Sequence, residues 1–268
     1  MKDMETRFTG SVPSAYDRLM VPLVFQPYAN EIARRARGFG PKRILETAAG
    51  TGAVTRALNA ALPDAEIIAT DLNPPMLEMA AQGMKSANVR FQQADAQDLP
   101  FDGESFDLVV CQFGAMFFPD RVRGHSEAHR VLRDNGRYLL AVWDRIESNV
   151  LTDIAQQVLI ECFPDDPPLF MREGPFSYHD PSRIESDLHD AGFGTVEIET
   201  VELPSRAASA REAAEALCYG TPMGLEISDR EPGSLERVFE AVVQAFRKFE
   251  TPDGIDAQMS AHVVTATK

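Results

Sequence analysis

Short apolar runs alternate with amphipathic stretches of helical length through the first half of the chain, and this order leaves few folds open. The apolar runs are rich in β-branched residues and lie at residues 43–46, 66–71, 89–95, 106–113 and 136–143. Helical patterns separate them at residues 54–62, 75–85 and 121–132. This alternation is typical of a parallel sheet covered by helices, so the predicted fold class is α/β.

The second half of the chain predicts two more strands, at residues 195–203 and 261–268. The long segment between them carries a helical pattern at residues 208–217 and an apolar stripe at residues 235–249, which we interpret as core packing. Residues 163–176, rich in Pro and Asp, are predicted as a surface loop. At 268 residues, we expect one large domain with additions.

The composition argues against several kinds of partner. The formal net charge of −15 disfavours nucleic acid, whose binding normally needs a basic stripe that releases counterions. The cysteines Cys111, Cys162 and Cys218 form no C-x-x-C pair, so neither a disulfide framework nor a zinc cluster is predicted. No apolar run reaches eighteen residues, so we expect no membrane span and a cytoplasmic location.

A glycine-rich loop follows the first predicted strand, with an acidic residue at its start. Residues 45–54 read LETAAGTGAV, so Glu46 ends the strand and two glycines lead into a helix. Such a loop lets its backbone approach a ligand closely and present amide groups. Asp71 and Asp95 close the next two predicted strands. Each acid alone could be a solvated strand end or helix cap, but three at successive strand ends indicate a ligand site.

Three acceptor-only side chains suit a ligand that offers an ammonium group, a ribose diol and an exocyclic amine. S-adenosylmethionine carries all three and has no phosphate. NAD would place its pyrophosphate over the glycine loop, where a carboxylate repels it by roughly 1 to 4 kcal/mol at effective dielectric constants of 80 to 20. The dinucleotide fingerprint is also incomplete, because Thr55 stands where its third glycine would be. Glu46 therefore favours S-adenosylmethionine over NAD.

Four stretches come in order along the chain: LETAAGTG, TDLNPPML, ADAQDLPFDGESFDLVVCQFGAMFF and RVLRDNGRYLLAVW. They resemble motif I, the second acidic motif, the joined third and fourth motifs, and the following strand of the class I S-adenosylmethionine-dependent methyltransferases. The resemblance spans roughly residues 14–145 and looks closest to the branch of the ubiquinone and menaquinone biosynthesis C-methyltransferases. The chain departs from the family at Ala48, where many relatives have glycine, and at residues 134–135, where a proline-glycine turn is common.

The resemblance implies which positions hold the methionine and ribose parts of S-adenosylmethionine. Ala48, Gly50 and Gly52 would line the methionine part. The ammonium group would lie near Glu46, directly or through water. Asp71 would accept hydrogen bonds from the two ribose hydroxyls.

The resemblance also implies contacts to the adenine and to the methyl end. Leu72 and Met76 would flank the adenine, and Asp95 with the Ala96 amide would read its amine edge. The methionyl end would be covered by two residues that end the fourth strand, Gln112 and Phe113.

The alternation and the resemblance together predict a Rossmann-like, doubly wound, mostly parallel seven-stranded sheet, with helices on both faces and an antiparallel last strand. Residues 35–204 would form the S-adenosylmethionine-binding core, and residues 259–268 its final strand. Residues 1–34 are predicted as a helical cap that could fold over the cofactor with the ring or hydroxyl of Tyr16, although ordinary helix packing is an equal alternative. Residues 205–258 are predicted as a helical lid, because segments there help cover the substrate in related enzymes.

No catalytic side chain is assigned, because methyl transfer is an in-line displacement that needs alignment more than a fixed nucleophile or a metal. His179 is the histidine to test first as a base, should the acceptor lose a proton. Phe117 and Phe118 are candidates for an apolar wall, with core packing as the alternative. We interpret His125 and His129, four residues apart, as an exposed helix face rather than a metal pair, because no third ligand is evident nearby.

The predicted function is S-adenosylmethionine-dependent methyl transfer to a small-molecule acceptor, apolar or aromatic in character. Two alternatives stay open. An NAD-dependent oxidoreductase would share the α/β framework and use Asp71 for its ribose, whereas a non-catalytic protein would bind the cofactor and transfer nothing. The identity of the acceptor, the methylated atom and the oligomeric state are open as well.

Overall fold

One sheet organises the chain of the computed structural model, which describes residue 14 and residues 16–268. The strands of the described residues, numbered along the chain, are β1 (Arg43–Glu46), β2 (Glu66–Asp71), β3 (Val89–Gln93), β4 (Phe106–Gln112), β5 (Leu132–Trp143), β6 (Thr195–Ala207), β7 (Glu250–Thr251) and β8 (Gly254–Thr267). Across the sheet they follow the order β3-β2-β1-β4-β5-β8-β6, and β7 pairs with β8.

Most neighbouring strands run parallel. β1 pairs in parallel with β2 and β4, β2 with β3, and β4 with β5. β5 and β8 are antiparallel, with Arg137 opposite Thr267 and Trp143 opposite Ala261. The central strands are apolar because both of their faces are covered, as in β4, where Leu108 to Cys111 are fully buried. The predicted α/β class, with a mostly parallel sheet and an antiparallel last strand, is confirmed.

The fifth strand begins before the predicted one, and the stretch at residues 134–136, whose composition is typical of a turn, lies inside it. Asn135 has a φ of 61° within the strand, and the register between β4 and β5 shifts between Phe106 and Leu108. The Asp, Asn and Gly at residues 134–136 therefore form an irregularity in a longer strand, which begins at Leu132.

The sequence does not predict β7, which forms a hairpin with an early start of β8. Gly254 begins β8 with a φ of 103°, and a Cβ added there would lie 2.3 Å from the carbonyl oxygen of Ala207. A glycine is required at this close approach, and it extends the last strand several residues before the predicted one.

The α-helices, numbered along the chain, are α1 (Gln26–Phe39), α2 (Ala53–Ala61), α3 (Pro74–Gln82), α4 (Arg121–Val131), α5 (Val150–Cys162), α6 (Phe170–Glu173), α7 (Pro181–Asp190), α8 (Ala210–Tyr219), α9 (Met223–Arg230) and α10 (Leu235–Phe246). A π-helix, Tyr16–Phe25, precedes α1. Among the described residues, no helix is both long and apolar enough to cross a membrane. The cytoplasmic location stays a prediction.

The chain divides into two compact units. The sheet unit comprises Tyr28–Trp143, Tyr178–Val201 and Ala261–Lys268. The helical unit comprises Asp144–Ser177, Glu202–Ser260 and the described part of Met1–Pro27. The division into cap, core, lid and final strand made from the sequence stays a prediction.

Within the helical unit, α10 packs against α8 and α5. Its apolar stripe is buried, with Phe246 fully inaccessible to solvent, as the interpretation of core packing expects. The segment 163–176, predicted as a surface loop, also contributes to this core. It contains α6, in which Phe170 and Met171 are buried, because an apolar pair follows the Pro- and Asp-rich part of the segment.

The two histidines of α4 have different surroundings, and the predicted exposed face is wrong for His125. That side chain is fully buried, with its Nε2 3.3 Å from the Tyr178 hydroxyl. His129 is half-buried, and its ring meets Phe193 edge to face at 5.1 Å. The face is covered because α7 packs on α4 in the sheet unit. In the described part of the chain, no three His, Cys, Asp or Glu side chains are grouped to hold a metal ion.

The buried His125 makes stability depend on pH. Burial lowers the pKa of His125 to about 4, while the charge of Asp187 opposes this shift and that of Arg121 adds to it. Between pH 4 and the ordinary histidine pKa of about 6.5, the unfolded chain binds the proton and the folded one does not, so stability falls as pH falls. In the His125→Gln variant, the free energy of unfolding should change less steeply with pH in this range, by up to about 1.4 kcal/mol per pH unit. Urea unfolding at several pH values measures this slope.

The control for this measurement is Val131→Ala in α4, which removes buried apolar volume and no titratable group. It should keep the wild-type dependence of unfolding free energy on pH. Equal slopes for His125→Gln and the wild type would contradict the prediction.

Candidate cofactor site at the carboxyl ends of the parallel strands

The three predicted carboxylates follow strands that end at the same edge of the sheet. Glu46 ends β1 and Asp71 ends β2, while Asp95 comes two residues after the end of β3 at Gln93. In the register of the sheet, Glu46 lies beside Ala69, and Asp71 beside Gln93. Parallel pairing in the order β3-β2-β1 therefore brings the three strand ends into one row.

The loop after β1 takes a left-handed path into α2. Ala48, Gly50 and Gly52 have φ angles of 55°, 55° and 84°. The loop is tied to β2, because the Ala49 amide donates to the Thr70 carbonyl at 2.9 Å. A Cβ built on Gly50 meets nothing within 4 Å, so the space beside the loop at that point is open.

Asp71 fastens this loop to the end of β2. Its Oδ2 accepts a hydrogen bond from the Gly50 amide at 2.8 Å, and its Oδ1 accepts one from the Asn73 amide at 2.8 Å. Burial raises the pKa of Asp71, and these backbone donors oppose the shift. The carboxylate thus holds the loop in place.

Glu46 is the most deeply buried of the three acids, with 2% of its surface exposed. Its Oε2 accepts a hydrogen bond of 2.6 Å from the hydroxyl of Thr55. Burial raises the pKa of Glu46 to about 8, a shift that the charge of Asp71 increases and that the Thr55 hydroxyl and the Arg56 charge reduce. A positively charged neighbour would favour the charged form of this buried carboxyl.

Asp95 and Ala96 lie in a tight turn braced by the start of α4. Oδ1 of Asp95 accepts from the Gln97 amide at 2.8 Å, and the Asp98 amide donates to the Asp95 carbonyl at 3.0 Å. The side chain of Gln97 accepts from the Asp120 amide at 2.8 Å, just before the helix. The backbone at the end of β3 is thereby fixed.

The structure brings together the remaining predicted contacts of the sheet unit. Leu72 is 41% exposed and follows Asp71 directly, whereas Met76 of α3 is buried. Gln112 is half-buried at the end of β4, and Phe113 is buried beside it. Eleven of the twelve predicted cofactor residues therefore lie at or shortly after the ends of four adjacent strands.

Tyr16, the twelfth predicted residue, belongs to the helical unit. Its half-buried ring stacks on Phe25 at a centroid distance of 5.0 Å. A role for Tyr16 at the cofactor stays a prediction.

Comparison with known proteins agrees with this geometry. Residues 44–136 match a family described as a methyltransferase domain. The demethylmenaquinone methyltransferase of Deinococcus radiodurans is 30% identical over 200 residues, which cover 69% of this chain and 83% of that protein. The ubiquinone/menaquinone biosynthesis C-methyltransferase of Citrifermentans bemidjiense is 28% identical over 189 residues, 66% of this chain and 78% of that protein.

A solved structure shows the same fold. Phosphoethanolamine N-methyltransferase 2 of Haemonchus contortus, in complex with S-adenosyl-L-methionine, aligns with a TM-score of 0.61 at 18% identity. The alignment covers 98% of this chain and 58% of that one.

The match to the Deinococcus protein extends over most of that protein and decides the family. The chain belongs to the class I S-adenosylmethionine-dependent methyltransferases. Within them it falls in the branch of the ubiquinone and menaquinone C-methyltransferases. It is an enzyme that transfers a methyl group from S-adenosylmethionine to a small molecule, and the NAD-dependent and non-catalytic alternatives are set aside.

The residues of this methyltransferase fit its methyl donor. The three carboxylates are hydrogen-bond acceptors, and the donor carries an ammonium group, a diol and an amine that can donate. The Thr51 hydroxyl, within the glycine loop, is buried and has no hydrogen-bond partner among the described residues. The open space beside Gly50 adds room for a ligand against the backbone.

The methyltransferase holds Phe113 in an aromatic cluster that sequence reasoning missed. The ring of Phe113 stacks on Trp143 at 3.8 Å with an interplanar angle of 7°, and Tyr28 meets both rings edge to face. Phe113 has a φ of 55°, which is uncommon for a bulky residue. Trp143 ends β5 and Tyr28 lies in α1. The three residues are distant in the sequence and come into contact only in the folded chain.

The structure also gives the surroundings of two further candidates of the sequence analysis. His179 has an exposed side chain, and its carbonyl oxygen accepts a hydrogen bond from His262 at 2.9 Å. Phe118 packs on α4, where a Cβ added to Gly124 would lie 2.5 Å from its ring. The half-buried ring of Phe118 thus packs against α4, while an apolar wall there and a base at His179 stay predictions.

The loops after β1 and β4 touch at Gly114. A Cβ added to Gly114 would lie 2.4 Å from the Cβ of Ala48 and 3.0 Å from the Sγ of Cys111. The Gly114→Ala variant should therefore lose about 1 to 3 kcal/mol of unfolding free energy, measured by urea unfolding.

The double variant Gly114→Ala with Ala48→Gly should recover much of this loss, because it removes the methyl group that the new one strikes. Gly38→Ala in α1 is the control, since a Cβ there meets nothing within 4 Å. Additive effects of the two changes would show that the loops do not share this contact.

Proposed function

We propose that the eleven residues at the strand ends hold S-adenosylmethionine and that the acceptor is an aromatic ring of the quinol type. The observation that carries the first part is the row of carboxylates after β1, β2 and β3 beside an open glycine loop. The names of the two relatives, a demethylmenaquinone and a ubiquinone/menaquinone C-methyltransferase, support the second part.

Each strand end has its own task in the proposed site. Glu46 accepts the ammonium group, and Asp71 accepts the ribose hydroxyls while it keeps the glycine loop in position. Asp95 and the Ala96 amide recognise the edge of the adenine, and Leu72 presents an apolar surface to its ring. The bound donor supplies a methyl group on a sulfonium, which is already primed to leave.

The remaining task of the chain is to align the acceptor and exclude water. The buried aromatic cluster of Phe113, Trp143 and Tyr28 fixes the backbone after β4, beside which a planar apolar acceptor would lie. Fixing two reactants at about 3 to 3.5 Å can account for roughly 7 to 11 kcal/mol of the barrier. A hydroxyl on the acceptor ring would make its carbon nucleophilic once the proton is lost.

The ribose assignment predicts a specific loss in Asp71→Asn. One oxygen of the side chain becomes a donor and the charge is lost, so the affinity for S-adenosylhomocysteine should fall about 10- to 150-fold in calorimetry. Asp107→Asn is the matched control, because Asp107 also accepts two backbone amides, those of Lys42 and Arg43. It lies near the amino end of β4, so its variant should lose stability but keep affinity.

Equal affinity in Asp71→Asn and the wild type would contradict the ribose assignment. A loss of the same size in Asp107→Asn would instead indicate that affinity follows general stability.

The acceptor proposal predicts methylation at carbon. The enzyme, supplied with 1,4-naphthoquinol and a trideuteromethyl donor, should place the label on a ring carbon, as read by mass spectrometry and NMR. Phosphoethanolamine, the acceptor type in the name of the Haemonchus structure, is the comparison substrate and should receive no label. Label only on oxygen, or only on the amine, would overturn the acceptor class.

A further inference from the structure

Glu46 is held at two points by threonine hydroxyls. Thr55, the third residue of α2, donates its hydroxyl to the Glu46 carboxylate at 2.6 Å. Thr70 in β2 donates its hydroxyl to the Glu46 main-chain carbonyl at 2.9 Å. All three residues are buried, with exposures of 0% for Thr55, 1% for Thr70 and 2% for Glu46. One hydroxyl thus fixes the backbone and the other fixes the side chain.

We propose that Thr55 is a positioning residue, which orients the Glu46 carboxyl as the acceptor for the donor's ammonium group and favours its charged form. The inference rests on the proposed cofactor site and adds a residue that acts through Glu46.

The surroundings of Thr55 leave its hydroxyl available for this bond. A helical threonine can turn its hydroxyl to the carbonyl one turn earlier, which here belongs to Thr51. That carbonyl already accepts a hydrogen bond from Arg56 Nη1 at 2.8 Å. The Thr55 hydroxyl instead bonds to Glu46, nine residues earlier in sequence.

The charge of Glu46 depends on a small number of neighbours. Asp71 faces it from β2 and raises its pKa, whereas Arg56 from α2 lowers it. The hydroxyl of Thr55 also lowers the pKa, against the larger effect of burial. Without that hydroxyl a larger share of Glu46 is protonated at neutral pH, and a protonated carboxyl is a poorer acceptor for an ammonium group.

The test measures binding of two ligands by calorimetry between about pH 6 and pH 9.5, a range that includes the expected midpoints of the wild type and the variant. S-adenosylhomocysteine carries the ammonium group, and 5′-methylthioadenosine lacks the whole amino-acid part. The proteins are the wild type, Thr55→Val, Thr55→Ser and Thr70→Val. Thr70→Val is the matched control, because it removes the same hydroxyl from a contact with the same residue but not with its carboxylate.

For S-adenosylhomocysteine, the midpoint of the pH dependence should move up by about one unit in Thr55→Val, which weakens binding about tenfold at pH 7. Thr55→Ser should restore the wild-type profile, since it keeps the hydroxyl. Thr70→Val should keep the wild-type midpoint. Affinity for 5′-methylthioadenosine should be the same in Thr55→Val and the wild type.

The outcomes separate this inference from the proposed site. An unchanged midpoint in Thr55→Val, with the wild type binding both ligands, would overturn the role of Thr55 alone, as would an equal loss for both ligands. A Glu46→Gln variant that binds S-adenosylhomocysteine as tightly as the wild type would overturn the placement of the ammonium group itself. Should Thr55→Val not fold, Thr55→Ala compared with Thr55→Ser makes the same comparison.

Discussion

The parallel pairing of one short strand on both of its sides determines the site. β1 has four residues, of which Ile44 and Leu45 are fully buried, and it pairs with β2 on one side and β4 on the other. Parallel neighbours need crossover connections, so each of these strands releases its loop at the same edge. The chain leaves β1 at Glu46, between two other strand ends. The depth of the sheet at this point explains why a carboxylate there is almost inaccessible to solvent.

Two of the four non-glycine residues with positive φ in the described part of the chain lie in the loops after β1 and β4. Ala48 and Phe113 both have φ near 55°, and a left-handed residue other than glycine costs about 1 to 3 kcal/mol. Surrounding contacts hold both in place. The Phe113 amide donates to the Ala141 carbonyl at 2.8 Å, and its ring is fixed by Trp143. Strain at a ligand site is consistent with a backbone arranged before the ligand arrives.

Features that depend on the local hydrophobic pattern or on the order of motifs can be predicted from the sequence. The continuous apolar run of β4 marks a strand covered on both faces, and the acids that close the strands are visible without any structure. Contacts between residues that are distant in the chain cannot be predicted from these patterns. Trp143 reaches Phe113 from the next strand, and His125 is buried by a helix that begins at Pro181.

Some local sequence patterns form a structure that differs from the one they are typical of. The Asp-Asn-Gly stretch at residues 134–136 has the composition of a turn, yet a register shift inside β5 uses the same left-handed preference at Asn135. In the sequence, Thr55 indicates only that the third glycine of the dinucleotide-binding fingerprint is missing. Its hydroxyl gains meaning from its contact with Glu46, which helical spacing alone does not reveal.

The electrostatics of the glycine loop disfavour a phosphate there without a steric barrier. Loops of this kind bind phosphate through backbone amides at the start of a helix. Here the Gly50 amide already donates to Asp71, so an anion that belongs to the protein occupies one of those donors. Glu46 adds a second buried acid, whose desolvation a positive ligand offsets and a phosphate would aggravate. Asp71, which anchors the loop, and Glu46, which lies at its start, therefore favour a cationic nucleoside over a dinucleotide.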